Sequence, residues 1–431
     1  MSNDSTNSRL PAEEAADALR CHVLQPLLPR CVDETYGGFL VDFDERWQPV
    51  GPHDKSLEHA TRTTISFALL DRAMPGEGCD RLVRHGCAFL KDVMWDREYG
   101  GFYARVDRSG RPLWEGLKHP HATNYAARAF QLSEPYLPSG EGEAWAQRAL
   151  TWLDEVAWDE SHGGYWGSYR RNNERYPAGS RLPTPDGRDI FGLPAGFKEV
   201  NTLGDAIEML TWLVDRGSGS QSADRLTWMV DLVCERLIDP AGLLPYSYHR
   251  DWRPAPDLIR VGYQFMMARH LAMVPSSSRP IERLIVKCCQ LVDFCLTSAR
   301  HPRGGFCFAV SAHGRSWPAT GSSTDVRQWW VQFESAYTLH FLSKHPSVDP
   351  GRRTRYRVAF DEQWTFLRTH FFDARYGGVR EEPVEPRAPR RFAVPRRWRA
   401  RKAEGSTPLK SHPWKDVSHE VGTLLEIAGI P

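Results

Sequence analysis

Six glycine turns recur along the chain, and they constrain the fold more than any other feature. They are Gly37-Gly38, Gly100-Gly101, Gly163-Gly164, Gly242, Gly304-Gly305 and Gly377-Gly378, at intervals of 62 to 79 residues. Each follows a helix-like stretch. Most have an Asp or Arg just before and an aromatic just after, as in DETYGGF, WDREYGGFY and WDESHGGYW. A repeat this long holds two helices and a turn, and six such units close into a ring with a mouth where a ligand can sit.

At 431 residues the chain is long enough for two or three ordinary domains, but closed repeat rings run larger as one. The reading is a disordered N-terminus over 1–12 and a single domain over 13–431. A net charge of +1 gives no global pull towards nucleic acid or membrane. No apolar run approaches the roughly 20 residues that span a bilayer. The N-terminus lacks a secretory apolar core. The nine cysteines are scattered, with no zinc or disulfide spacing. Reduced thiols and a cytoplasmic location follow as expectations. No nucleotide loop or metal-ligand spacing stands out, so the expectation is a small-molecule substrate and no cofactor. The 16 Trp, 14 Tyr and 19 Phe have two readings. They either line a pocket that stacks on ring-shaped ligands or fill the space between helix layers.

From Glu13 onward Ala15, Ala18, Leu19, Val23, Leu24 and Leu27 fall near helical spacing. Further helices are expected near 59–72, 78–93, 121–132, 143–156, 200–215, 222–237, 258–273, 279–297, 328–344, 353–370 and 415–428. FLVDFDERWQPV, after the first turn, alternates like a short hairpin strand. Two segments break the rhythm. Residues 167–197 are long, polar and rich in Pro and Gly, as lids and binding loops are. Residues 379–410 form a basic Pro/Arg-rich insert, read either as an anion- or partner-binding surface or as a solvated, mobile segment.

Four motifs at helix starts, KSLEHATR, KEVNTLGDAIEMLTWL, WWVQFES and PWKDVSHE, resemble in order and spacing those of the N-acylglucosamine 2-epimerase family, which includes cellobiose 2-epimerases and mannose isomerases. In the first, Arg62 falls on the family's sugar-contacting arginine. In the second, Lys198, Asn201, Thr202 and Glu208 match. Trp330, Gln332 and Glu334 match in the third. Trp414, Lys415 and His419 match the C-terminal motif of the catalytic histidine. The resemblance spans about residues 15–428 and implies an all-α (α/α)6 barrel, a six-hairpin toroid with short β-hairpins in the loops at one mouth. It also leaves a homodimer open. The chain departs from the family pattern at Asp205, where the family has histidine. VGYQFMMARHL places Tyr263 and Met266 where the family has an acid/base histidine and a carboxylate. Glu58 and Ala60 replace an aromatic and a glutamine.

The family reaction, as the resemblance implies it, opens a sugar ring and moves a proton beside the carbonyl. Imidazole suits both taking and giving that proton. His419 is therefore the principal base expected. Tyr263 titrates near 10 and suits hydrogen bonding to an oxyanion better than base work. Asp205 is a weak base unless burial raises its pKa. Arg62 or Tyr263 would stabilise an enolate-like oxygen. The expected substrate-binding set is Lys198, Asn201, Trp330, Glu334, Trp414, Lys415, Met266 and Glu58. Each has a plainer reading: Arg62 paired with Glu58 one turn earlier, Lys198 and Asn201 as caps, Glu334 holding Arg62 or Lys415, Tyr263 and Met266 as packing. The function expected is cofactor-independent acid/base chemistry, of isomerase or lyase type, on a small polar or ring-shaped ligand. Ordinary two-histidine 2-epimerisation is disfavoured. The alternatives are a barrel repurposed for cyclisation, dehydration or elimination of a non-sugar metabolite in biosynthesis, and a non-catalytic binding protein.

Overall fold

A computed structural model describes residues 10–217, 220–255, 259–311, 326–384 and 409–430. Six outer helices alternate along the chain with six inner ones. The outer helices are α1 (Pro11–Ala18), α3 (Cys79–Phe89), α5 (Glu141–Trp152), α7 (Ser220–Leu232), α9 (Ile281–Ser298) and α11 (Pro350–His370). The inner helices are α2 (Leu57–Ala73), α4 (Pro120–Ser133), α6 (Val200–Asp215), α8 (Val261–Ala272), α10 (Trp329–Lys344) and α12 (Ser418–Ala428). Each inner helix touches the next, and α12 returns to α2. The ring is a closed (α/α)6 barrel. Helix α1 starts at Pro11, inside the tail expected over 1–12; residues 1–9 lie outside the described residues. Among the described residues no helix is long and apolar enough to cross a membrane.

The glycine turns join each outer helix to the rest of its repeat. Four outer helices end in a π-helical stretch, Leu19–Leu24, Leu90–Met94, Leu153–Ala157 and Val233–Leu237. The wider turn re-aims the chain ahead of the glycines. Gly163 has φ +66, and a Cβ there would sit 2.1 Å from Trp228 of the next outer helix. Gly101 meets Trp152, and Gly305 meets Phe366, in the same way. Glycine supplies both the left-handed backbone and the space for a large ring. These rings belong to the plainer reading of the aromatics, since they pack the outer layer.

A buried ion-pair clamp repeats with the turns. Lys55, Lys118, Lys198 and Lys410 each place Nζ on the aspartate that precedes a glycine turn: Asp33 at 3.0 Å, Asp96 at 3.1 Å, Asp159 at 3.0 Å and Asp373 at 2.7 Å. Each ammonium also donates to the carbonyl of the turn's first glycine. An arginine completes each set: Arg108, Arg171, Arg250 and Arg380. The clamp fixes the turn to the chain just ahead of an inner helix.

The short strands differ from the hairpins expected. Local hairpins survive as single bridges, Phe43 to Pro49 and Val106 to Pro112 among them. The strand pairs link different repeats: β2 (Lys55–Ser56) with β3 (Arg105–Val106), β4 (Lys198–Glu199) with β5 (Ser247–Tyr248), and β6 (Ile259–Arg260) with β7 (Ala309–Val310). Strand β1 (Phe43–Asp44) pairs with β8 (Leu409–Ser411) and so closes the ring between its first and last units.

Candidate active site

The inner helices place side chains on the barrel axis in tiers one helical turn apart. Counting from the first residue of each helix, the second position holds Glu58, His121, Asn201, Gly262, Trp330 and His419. The sixth holds Arg62, Tyr125, Asp205, Met266, Glu334 and Thr423, and the ninth holds Ile65, Arg128, Glu208, Arg269, Tyr337 and Glu426. A cavity of about 340 Å³ opens at the mouth, and a second of about 280 Å³ lies deeper. Arg62, Met266 and His419 border both, so they form the floor of the mouth cavity.

His419 Nδ1 lies 2.7 Å from Glu334 Oε1. The other oxygen of Glu334 accepts from Arg269 Nη2 at 3.0 Å. Burial works to raise the Glu334 pKa, but Arg269 and His419 hold the carboxyl at about 2. Glu334 is therefore an ionised acceptor. It fixes the proton on Nδ1 and leaves Nε2 of His419 as the basic atom for a ligand. Trp330 flanks the imidazole, its ring 5.8 Å away, and Tyr263 packs 5.1 Å from Trp330.

Arg62 is the second centre. Its Nη2 donates to Tyr125 Oη at 3.1 Å and lies 3.4 Å from His121 Nε2. Nη1 stands 3.9 Å from Asp416. Tyr125 donates to Asp205 Oδ1 at 2.7 Å, and the other oxygen of Asp205 is 2.9 Å from His121 Nδ1. Burial opposes the charge on Arg62, but Tyr125, Asp416 and Asp205 outweigh it and raise its pKa. Arg62 is a fixed cation at the cavity floor. Phe191, from the long loop 167–197, packs 4.7 Å from His121 and lines the mouth cavity. Asp189 anchors that loop by accepting the N–H groups of Phe191 and Leu193, and burial pushes its carboxyl up to about 7.

The sequence model of the N-acylglucosamine 2-epimerase (GlcNAc 2-epimerase) family matches residues 37–180. A cellobiose 2-epimerase from Bacteroides fragilis is 22% identical over 374 residues, covering 85% of this chain and 89% of that protein. The solved cellobiose 2-epimerase of Bacillus thermoamylovorans B4167 superposes with a TM-score of 0.79 at 18% identity, over 97% of this chain and 98% of that one. A D-mannose isomerase superposes at 0.78 with 18% identity over the whole of both chains. Over residues 37–180 the chain is similar to the N-acylglucosamine 2-epimerase family, and over nearly its whole length it shares the fold of these solved epimerases and isomerases. Its relatives are isomerases and epimerases.

The structure gathers His419, Arg62, Tyr263, Met266, Asn201, Trp330 and Trp414 around the mouth cavity. The other expected residues lie elsewhere. Lys198 is a clamp residue, bound to Asp159 like its three counterparts, and does not line the cavity. Lys415 is buried, with Nζ on the Lys410 carbonyl at 3.0 Å. Glu334 faces the deeper cavity and binds His419 and Arg269, rather than Arg62 or Lys415. Asp205 lies behind Tyr125 and His121, outside both linings. Glu58 is buried and lines neither cavity; Arg62 pairs with Tyr125 and Asp416 instead.

The sequence reading missed His121, Tyr125, Asp416, Arg260 and the pair of His412 with Glu381 at the rim. The register offered a signal for some of them. Arg62, Tyr125 and Asp205 each stand seven residues after a clamp lysine, Lys55, Lys118 and Lys198. Both nitrogens of His412 are occupied. Nδ1 accepts from Trp414 N–H at 3.2 Å, and Nε2 lies 3.4 Å from Glu381.

Proposed function

We propose that this chain is a one-base isomerase, moving a proton beside the carbonyl of a sugar or sugar-like ring ligand. The observation that carries this is the 2.7 Å contact of Glu334 with His419 Nδ1 at the cavity floor. It leaves Nε2 as base, with the Arg62 cation on the same floor to stabilise an enolate-like oxygen. A single base removes and returns a proton on one face. That suits exchange between an aldose and a ketose better than inversion at one carbon, which needs a group on each face. Tyr263 is a poor second base, because burial pushes its phenol up to about 12. It suits donation to a ligand oxygen. The relatives' activities on cellobiose and mannose support a carbohydrate-like ligand.

A second reading, elimination or cyclisation of a non-sugar ring, draws on the apolar wall of Met266, Phe308 and Trp330. One experiment separates the two. The protein is incubated in D2O with aldoses, ketoses and 1,4-linked disaccharides and followed by NMR. Deuterium uptake beside the carbonyl, lost in His419→Ala, supports the isomerase. No exchange on any sugar by folded protein rejects it in favour of the second reading.

A further inference from the structure

Arg260 is the cation in the mouth cavity that the proton-transfer chemistry does not use. It stands immediately before α8. At the same position before α2, α4 and α6 stand Ser56, His119 and Glu199, and each accepts a backbone N–H of its helix. Arg260 makes no such bond. A guanidinium cannot accept a hydrogen bond, and a cation beside a helix N-terminus opposes the helix dipole. Gln328 and Val417, before α10 and α12, make no such bond either, but they carry no charge, whereas Arg260 sets a cation against α8.

Its surroundings do not compensate for that. The guanidinium stacks 3.6 Å over the Tyr246 ring and lies 5.9 Å from Phe308. Among the described residues it has neither an ion pair nor a hydrogen bond. The other guanidinium of the cavity is answered, Arg62 by Asp416 at 3.9 Å. Arg260 thus presents a stacked, pre-oriented guanidinium edge to a cavity whose remaining wall is largely aromatic. A planar fork of this kind matches carboxylate, phosphate or sulfonate oxygens.

We infer that the ligand carries an anionic group, and that Arg260 binds it. The inference rests on the proton-transfer reading of the same cavity and names its substrate class. Arg260 stacks on the buried Tyr246, which backs Tyr263, and from Tyr263 the wall runs through Trp330 to His419, with successive ring separations of 5.3, 5.1 and 5.8 Å. The anion therefore sits at the end of the ligand away from the reacting carbon. A hexuronate or a hexose 6-phosphate has that layout; a neutral disaccharide does not.

Calorimetric titration of the full chain with D-glucuronate, D-glucose 6-phosphate and D-glucose tests this. At least one anion binds about tenfold or more tighter than glucose, and added salt shrinks the advantage. Arg260→Gln, checked for folding by circular dichroism, erases the advantage. Arg260→Lys retains part of it. Which anion wins separates carboxylate from phosphate. Equal affinity for glucose and the anions, an anion advantage that survives in Arg260→Gln, or no binding of any anion at millimolar concentration each overturns the inference. Because binding is read without turnover, an anion preference without deuterium exchange counts against the isomerase reading alone. Exchange on neutral sugars without anion preference counts against Arg260 alone.

Discussion

Glu334 and His419 meet at 2.7 Å, Oε1 to Nδ1, and the carboxylate is itself held by Arg269. The base is therefore oriented by a buried ion pair that never touches the mouth cavity. Glu334→Gln keeps the shape but removes the charge that stabilises a protonated imidazole. The expected result is a fall in kcat of about 10²-fold or more, with KM little changed. Steady-state kinetics on whichever sugar shows exchange would read it; a change confined to KM would contradict the role. Glu334→Ala goes further. It leaves Arg269 buried without its closest partner and destabilises the fold by about 3–5 kcal/mol.

The four lysine–aspartate clamps predict a particular acid sensitivity. In Asp33, Asp96, Asp159 and Asp373 burial opposes ionisation, yet the clamp lysines, joined by an arginine at the first three and by backbone N–H groups at Asp373, hold all four carboxyls below the usual range. A depressed folded pKa means the carboxylate stabilises the fold above its unfolded value, near 3.9. That contribution is lost as pH falls through the depressed folded values. The melting temperature should drop steeply below about pH 4, and Lys198→Met should lower it at neutral pH without altering ligand affinity. A change in affinity with no change in melting would return Lys198 to the binding set.

The clamp also shows where sequence reading stopped. The glycine turns and the helical periodicity made the ring and its twelve helices legible, because both are local patterns along the chain. The fate of Lys198 was not legible. Its motif matched a family helix, while its true partner, Asp159, lies 39 residues earlier across a long loop. Its equivalence to Lys55 and Lys118 appears only when the three turns are superposed. His121 and Tyr125 had no motif at all. They reach Arg62 and Asp205 because neighbouring inner helices share one register around the axis. Arg260 was hidden for the opposite reason, since what marks it is the lack of a partner, and a sequence does not display that.

The contact of the glycine turns with the outer aromatics can be separated from their backbone strain. Gly163 and Gly217 have φ of +66 and +77, but only Gly163 has a ring against its missing Cβ. Gly217→Ala should cost about 1–2 kcal/mol from the left-handed backbone alone. Gly163→Ala should cost clearly more, because Trp228 must also move. Urea denaturation of both variants decides. Equal losses would mean that the Trp228 packing contributes nothing to holding the turn.

Tyr125 supplies the last test, since its hydroxyl joins the two halves of the buried cluster. It accepts from Arg62 at 3.1 Å and donates to Asp205 at 2.7 Å. Burial raises the phenol's pKa well above its ordinary value, so it stays a donor to Asp205 throughout the neutral range. Tyr125→Phe leaves a buried carboxylate and a buried guanidinium each short of a partner, at a cost of about 1–3 kcal/mol. If Arg62 stabilises the enolate-like oxygen, the same change loosens its aim and lowers kcat more than it raises KM. Asp205→Ala removes the acceptor of the same bond, so the double variant should lose less than the two singles together. Additive losses would show that Tyr125 serves Arg62 independently of Asp205. An unchanged kcat in a destabilised Tyr125→Phe would confine the cluster to holding the barrel together.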